Sequence, residues 1–457
     1  MTFMKTPHWI PEANFYHIYP LGLCGAPYHN DLNQPPVNRL GIIHHWISHL
    51  KSIGFNAIYI GPLFESMTHG YDTIDYCKVD RRLGTNDDLK HLIDNLHQNG
   101  FHIILDAVFN HVGRNFPQFV DLLQNGQNSP YKDWFLGVDF SQQSPMGDPF
   151  NYLTWEGHYS LVKLNLENPE VSQFMLDNVR FWFETWHIDG LRLDAIDQVS
   201  LNFLKQLHTL VQEINPQAWL MGESVHSDYR TWANPEMVHS ITNYECYKGL
   251  YSSHNDQNLF EIAYGFNRQF GEQGIYKNLL LYNFVDNHDV NRIASMVNKQ
   301  EYLQTIYTLL YTMPGVPSVY YGSEFGIQGT KTETCDRELR PGLDLGHMQA
   351  NTPRPELPDL LRQLFSIRQA HNALKIGNYQ EQYLQNKQFA FSRQHEDETI
   401  LVAINIDEHA SQITVNTPVQ APHWIDLLNP EYKFEGETHS ISMEIPPYST
   451  YILQANY

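Results

Sequence analysis

Apolar residues along this chain fall into short continuous runs separated by longer amphipathic stretches. The runs lie at 15–20, 57–61, 102–108, 190–196, 219–224, 240–244, 279–285 and 317–321. They do not alternate apolar with polar, which is the pattern of parallel strands buried on both faces. Between them, residues 200–215 place Phe203, Leu204, Leu207, Leu210, Val211 and Ile214 on one face of a 3.6-residue period. Residues 86–98 carry a similar period, with Gly84 ahead and Gly100 behind as a stop signal. Stretches 169–186, 300–313 and 359–371 read the same way. Eight such strand–helix units predict an α/β fold, a (β/α)8 TIM barrel.

Two departures from this rhythm divide the chain. Between His111 and Pro169 lies an irregular Gly-, Pro-, Ser- and Gln-rich stretch, too long for an ordinary βα loop. It predicts a small insertion after strand 3, over 112–167, on the catalytic face. Beyond Ala373 the period shifts toward two, with candidate strands at 389–392, 400–406, 413–415 and 441–445. This predicts a C-terminal antiparallel β-sandwich over 374–457, leaving 1–111 and 168–373 for the barrel.

Composition narrows the class of protein. Hydrophobic residues make up 42% and charged residues 18%, which fits a globular chain rather than a disordered one. The net charge of −22 repels phosphates and anionic lipid, so neither nucleic acid nor a membrane is an expected partner. No apolar run approaches the roughly 18 residues of a membrane span. The four cysteines, Cys24, Cys77, Cys246 and Cys335, are widely separated and are read as free thiols. The first residues show no charged start followed by an apolar run, so no secretory signal is expected and the cytoplasm is the expected location.

Candidate chemistry follows from one rule: in a barrel it sits where strands end. The third run closes on Asp106 to His111, and the fourth carries Arg192 and Asp194. The fifth ends Gly222-Glu223-Ser224, and the seventh ends Asp286-Asn287-His288-Asp289, with Arg292 shortly after. The second leads to His69-Gly70-Tyr71-Asp72. Asp106, Asp194, Glu223 and Asp289, with His111, His288, Arg192 and Arg292, thus converge on one mouth. Arg192 and Asp194 are two apart on a strand, so they share a face, and the cation favours an ionised carboxylate, as a nucleophile requires. Glu223 has no cation beside it in sequence, which suits an acid that keeps its proton. That division of labour is the one glycoside hydrolysis uses. The rival is metal-dependent hydrolysis, which often uses a His-x-His pair; none of the 24 histidines is followed by another two residues on.

These stretches resemble the α-amylase family of glycoside hydrolases. Asp106 to His111 is similar to its first sequence region, Gly190 to Asp194 to the second, Gly222-Glu223 to the third and Asn287-His288-Asp289 to the fourth. Residues 313–324 resemble the region of its eighth strand. The resemblance implies Asp194 as nucleophile, Glu223 as acid/base and Asp289 as the third carboxylate, which binds sugar hydroxyls. It implies that His111 and His288 bond the glucose being cleaved, that Arg192 steadies Asp194, and that Tyr71 is the platform beneath that glucose. It casts Asp72 and Arg292 as a grip on the terminal sugar's 4-hydroxyl, as in members acting on short oligosaccharides of the oligo-1,6-glucosidase kind. Lys163-Leu164-Asn165 partly matches the fifth region of the neopullulanase and cyclomaltodextrinase group.

Two features differ from that group. Val225 and His226 follow the acid/base where a tryptophan is usual at the second position, and a strand begins by Phe15, leaving no room for the extra N-terminal dimerisation domain. The oligomeric state is left open. No cofactor is required on this reading. Calcium, with Asn110 as a candidate ligand, is not favoured, because the insertion is short and Asp197-Gln198 replace the Lys-His of calcium-binding members. The expected activity is retaining hydrolysis of α-1,4, and by extension α-1,6, glucosidic bonds in short or cyclic maltooligosaccharides. A transglycosylase sharing the same triad is the alternative, and a non-catalytic carbohydrate-binding relative the remote one.

Overall fold

The computed structural model describes residues 6–332 and 335–456. Residues 1–5, on which part of the signal-sequence reading rests, lie outside them. All eight predicted runs form strands of one parallel sheet: Phe15–Ile18 (β1), Ala57–Ile60 (β2), His102–Ala107 (β3), Gly190–Leu193 (β4), Trp219–Gly222 (β5), Ser240–Ile241 (β6), Tyr282–Phe284 (β7) and Val316–Tyr320 (β8). Their order is β6-β5-β4-β3-β2-β1-β8-β7. A parallel bridge from Thr242 to Tyr282 closes β6 onto β7, with Asn243 N–H donating to the Tyr282 carbonyl at 2.8 Å. Strands β1, β2, β4, β5 and β8 are buried along their whole length, which is why each reads as mainly apolar without alternation.

The strands stop short of the predicted runs because the residues that follow turn into the active-site loops. The helices form where their apolar stripes predict. Leu201–Ile214 buries Phe203, Leu204, Leu207, Leu210 and Val211 against the barrel, and Ser200 caps its first turn. Asn86–Gln98 begins with a capping box between Thr85 and Asp88, and Gly100 beyond its end takes a left-handed φ of 85°.

Between β3 and the helix Pro169–Trp186, the chain forms a small three-stranded antiparallel sheet from His111–Gly113, His158–Lys163 and Thr154–Trp155. Arg114 pins it by a two-pronged ion pair to Asp148, with the shorter bond at 2.7 Å.

The C-terminal part is antiparallel. Asn378–Leu384 (β9), Gln388–His395 (β10), Glu398–Asn405 (β11), Ser449–Asn456, His423–Asp426 and Lys433–Glu435 form one sheet, while Ser411–Asn416 and Ser440–Ile445 pair as a second. The alternation of β10 and β11 sends side chains two ways. Phe389, Phe391, Ile400, Val402 and Ile404 join the barrel's core, whereas Ala390, Leu401 and Ala403 pack with Ile413, Val415, Trp424 and Ile441 between the two sheets. No helix among the described residues is long and apolar enough to cross a membrane.

Candidate active site

At the C-terminal mouth of the barrel, one guanidinium organises three carboxylates. Arg192 Nη1 donates to Asp106 Oδ1 at 2.9 Å and to Asp194 Oδ1 at 2.8 Å, while Nη2 lies 2.8 Å from Glu223 Oε2. Parallel pairing of β4 with β5 sets Arg192 opposite Met221, two residues short of Glu223. Neighbouring strands thus supply the cation that sequence proximity did not show. The expectation that Glu223 lacks a cation is corrected: Arg192 serves it and Asp194 alike.

Just past Asp194, Ala195 holds a left-handed backbone at φ 43° and directs its N–H to Glu223 Oε2 at 3.2 Å. A non-glycine residue in that region costs roughly 1–3 kcal/mol and persists where the surroundings impose it. Burial pushes the Asp194 carboxyl well up, Arg192 opposes this, and Glu223 and Asp106 add to the push. Three carboxylates around one cation retain a proton readily.

Asp289 sits in a different field. Burial would raise its carboxyl, but His288 Nε2 at 3.0 Å and Arg340 Nη2 at 3.1 Å hold it well below the usual carboxylate range. His111 and His288 are both buried, and burial brings His111 down to about 3, so it presents a neutral imidazole. Its Nε2 bonds no protein group. Tyr71 stacks on the His288 ring at 5.5 Å and 12°, its hydroxyl hydrogen-bonded to His288 Nε2 and donating to Asp106 Oδ2 at 3.0 Å. Tyr59 donates to the same oxygen at 2.5 Å, so Asp106 supports the cluster from below.

Asp194, Glu223, Asp289, Tyr71, His111, Arg192 and His288 are thus brought together. Asp72 and Arg292 are not paired. Asp72 accepts from the Thr68 hydroxyl at 2.8 Å and main-chain N–H at 3.2 Å. Arg292 is fully buried behind β8, donating to the carbonyls of Tyr321 at 2.7 Å and Leu339 at 2.9 Å, its guanidinium over the Tyr320 ring. Its expected grip on a sugar hydroxyl is therefore corrected to a role in holding the loop after β8.

The arginine that reaches the mouth is Arg340. It spans Asp289 and Asp336, the latter at 2.8 Å, and lies over Tyr19 at 4.6 Å. Being 51 residues from Asp289, it left no local signal. Two further residues were missed. Tyr244, just past β6, donates to Glu223 Oε1 at 3.3 Å and accepts from Asn287 at 3.0 Å. Trp155, on the insertion, stands 6.0 Å from His111.

Arg292 and Arg340 make opposite predictions. Arg292→Ala is expected to cost about 3–5 kcal/mol of stability by orphaning a buried polar network. Arg340→Ala is expected to fold and to lose activity. Thermal melts beside kcat/KM measurements separate them, and a reversed pattern would overturn the reassignment.

Asn110 is buried, its Nδ2 on His111 Nδ1 at 3.2 Å. Among the described residues no group of three or more His, Cys, Asp or Glu side chains is placed to hold a metal ion. Asn110 Oδ1 is itself buried without a protein hydrogen-bond partner.

Comparison with known proteins agrees with this architecture. Residues 38–353 match the family model of the α-amylase catalytic domain, and residues 381–452 that of the maltogenic amylase C-terminal domain. A cyclomaltodextrinase from Bacillus sp is 30% identical over 428 residues, covering 88% of this chain and 74% of that protein. A maltogenic α-amylase from Bacillus acidopullulyticus is 31% identical over 433 residues, with 88% and 70% covered. A solved cyclomaltodextrinase superposes with a TM-score of 0.86 at 28% identity over 99% of this chain and 79% of its own. The chain belongs to the α-amylase family and is a glycoside hydrolase.

Proposed function

We propose that this enzyme cleaves α-1,4, and also α-1,6, glucosidic bonds in short or cyclic maltooligosaccharides, with retention, through a covalent glucosyl-enzyme. The observation that carries the reading is the shared guanidinium, which holds the Asp194 and Glu223 carboxyl groups as neighbours at the barrel mouth. The reaction requires Glu223 to enter it protonated and Asp194 to enter it ionised beside Arg192. Glu223 then protonates the departing glycosidic oxygen while Asp194 Oδ attacks the anomeric carbon. In the second half, Glu223 takes a proton from water, which displaces Asp194. Asp289, kept anionic by His288 and Arg340, accepts hydrogen bonds from sugar hydroxyls. Tyr71 offers its ring face to the glucose. The narrower substrate range rests on the relatives named cyclomaltodextrinase and maltogenic amylase. Four free cysteines fit a place in the reducing cytoplasm.

Chromatographic product profiles test the substrate class. Purified enzyme meets maltotriose, a cyclodextrin, pullulan, isomaltose, sucrose and soluble starch, with Asp194→Asn as the blank. Fast ring opening and maltotriose cleavage with slow attack on starch are expected. Preference for starch, or turnover of sucrose or isomaltose alone, would overturn the substrate class. Early, high-yield products longer than the substrate would favour transglycosylation by the same intermediate.

A further inference from the structure

The two oxygens of Glu223 meet different neighbours. Oε2 faces the cation: Arg192 Nη2 lies at 2.8 Å and the Ala195 N–H at 3.2 Å. Oε1 faces the Tyr244 hydroxyl at 3.3 Å. Tyr244 stands where the barrel closes. Its neighbour Asn243 donates its N–H to the Tyr282 carbonyl on β7. The Asn243 side chain caps the helix Tyr244–Asn255 by accepting from the Cys246 N–H at 3.2 Å. The Tyr244 ring packs edge-on against Phe284 at 4.9 Å and is buried.

A phenol has one hydrogen to give and lone pairs to receive. Asn287 Nδ2 donates to the Tyr244 oxygen at 3.0 Å, which leaves the phenolic hydrogen for Glu223. Asn287 is itself fixed, because its Oδ1 accepts the Asp289 N–H at 2.8 Å. Burial first, and then the charge of Glu223, hold the phenol well above its usual range, so it stays a donor. One chain of bonds thus runs from the backbone of Asp289 through Asn287 and Tyr244 to Glu223 Oε1.

The cationic donor on Oε2 favours negative charge there, so the proton of a neutral Glu223 belongs on Oε1. We propose that Glu223 gives and takes its proton through Oε1, and that Tyr244 is the positioning residue that aims this oxygen. This rests on the reading of Glu223 as the acid/base. In the first half, the Oε1 proton passes to the glycosidic oxygen as that oxygen leaves the anomeric carbon and Asp194 bonds to it. In the second, Oε1 takes a proton from water as the water oxygen bonds the anomeric carbon and Asp194 departs. Negative charge therefore develops on Oε1 in the first half, where the Tyr244 hydroxyl already points. A hydrogen bond that strengthens as charge develops acts on turnover rather than on substrate binding.

Tyr244→Phe keeps the ring and removes the hydroxyl. Its kcat on maltotriose is expected to fall about 10–100-fold with KM little changed, as befits the loss of a hydrogen bond to a charged group. First-turnover release of fluoride from α-maltosyl fluoride, which needs no proton, is expected to stay within about twofold of wild type. p-Nitrophenyl α-maltoside, whose leaving group is a weak base, is expected to fall between the two. Glu223→Gln, run in parallel on the three substrates, tests the underlying reading. If it ranks them in the same order while Tyr244→Phe loses equally on all three, or changes KM alone, Tyr244 only packs the site and the proposal is overturned. If Glu223→Gln does not rank them, the acid/base reading fails and takes the proposal with it.

Discussion

Asp194→Asn is expected to lose on the order of 10⁶ in kcat on maltotriose, as removal of a nucleophile does. Glu223→Gln is expected to lose about 10³–10⁴ on maltotriose, and far less in the first step with α-maltosyl fluoride. The difference follows from the proton. A sugar leaving group departs only with a proton from Glu223, whereas fluoride departs as an anion. The glutamine enzyme therefore forms the glucosyl-enzyme from the fluoride and then stalls, because no base activates water. Azide attacks without a base, so added azide is expected to restore turnover and to yield an α-linked maltosyl azide. Asp194→Asn gains nothing from the fluoride, since the bond-forming group itself is gone. NMR of the first product from wild type is expected to show the α-anomer. A β-anomer, or equal losses by both variants on the fluoride, would sink the assignment of the two roles.

The barrel was legible because its strands are buried on both faces, so each leaves an unbroken apolar run, and because capping residues and glycines mark the helices between. The second layer of the C-terminal sandwich was partly legible. Ser411–Asn416 alternates buried Ile413 and Val415 with exposed neighbours, the signature of a half-buried strand. Asn378–Leu384 escaped notice because Gln380, Glu381 and Gln382 give it the composition of a loop; its pairing with β10 supplies the strand. At the site, residues within the strand-end motifs were found, and Tyr71 on its loop with them, whereas Arg340 on a loop, Trp155 on the insertion and Tyr244 just past β6 were not. Arg292 lies three positions from Asp289, and the resemblance casts it, with Asp72, as a grip on the terminal sugar. The backbone instead enters the short helix Ile293–Met296 there, with Ile293 N–H held by Asp286 at 2.9 Å, and the arginine side chain goes behind β8. Arg340 arrives from a loop whose path depends on the whole molecule. The cation beside Glu223 was invisible for a related reason: strand adjacency in a closed barrel is a tertiary fact.

Arg192→Ala is the second large effect, and its pH dependence distinguishes charge from packing. The variant leaves Asp106, Asp194 and Glu223 without their shared cation, in a site where Asp106 is 1% and Asp194 8% exposed. Breaking such a buried set by removing one partner costs about 3–5 kcal/mol. The sign follows from proton binding. Arg192 lowers the Asp194 carboxyl against the upward push of burial, so its removal raises that carboxyl further. A group raised in the folded state contributes stability below its unfolded pKa and loses it as pH rises through the folded value. The stability defect is therefore expected to be small near pH 4 and to grow toward pH 8. Activity moves in the same sense. Attack requires ionised Asp194, so the acid limb of the kcat/KM profile is expected to shift to higher pH, on top of a loss of about 10³-fold or more from misplacing both carboxylates. Arg192→Lys keeps the charge but not the forked donors that reach Asp194 and Glu223 together. It is expected to restore most of the acid limb and little of the rate. An acid limb unmoved in the alanine variant would show that Arg192 sets geometry alone, and the charge argument for the nucleophile would fail with it.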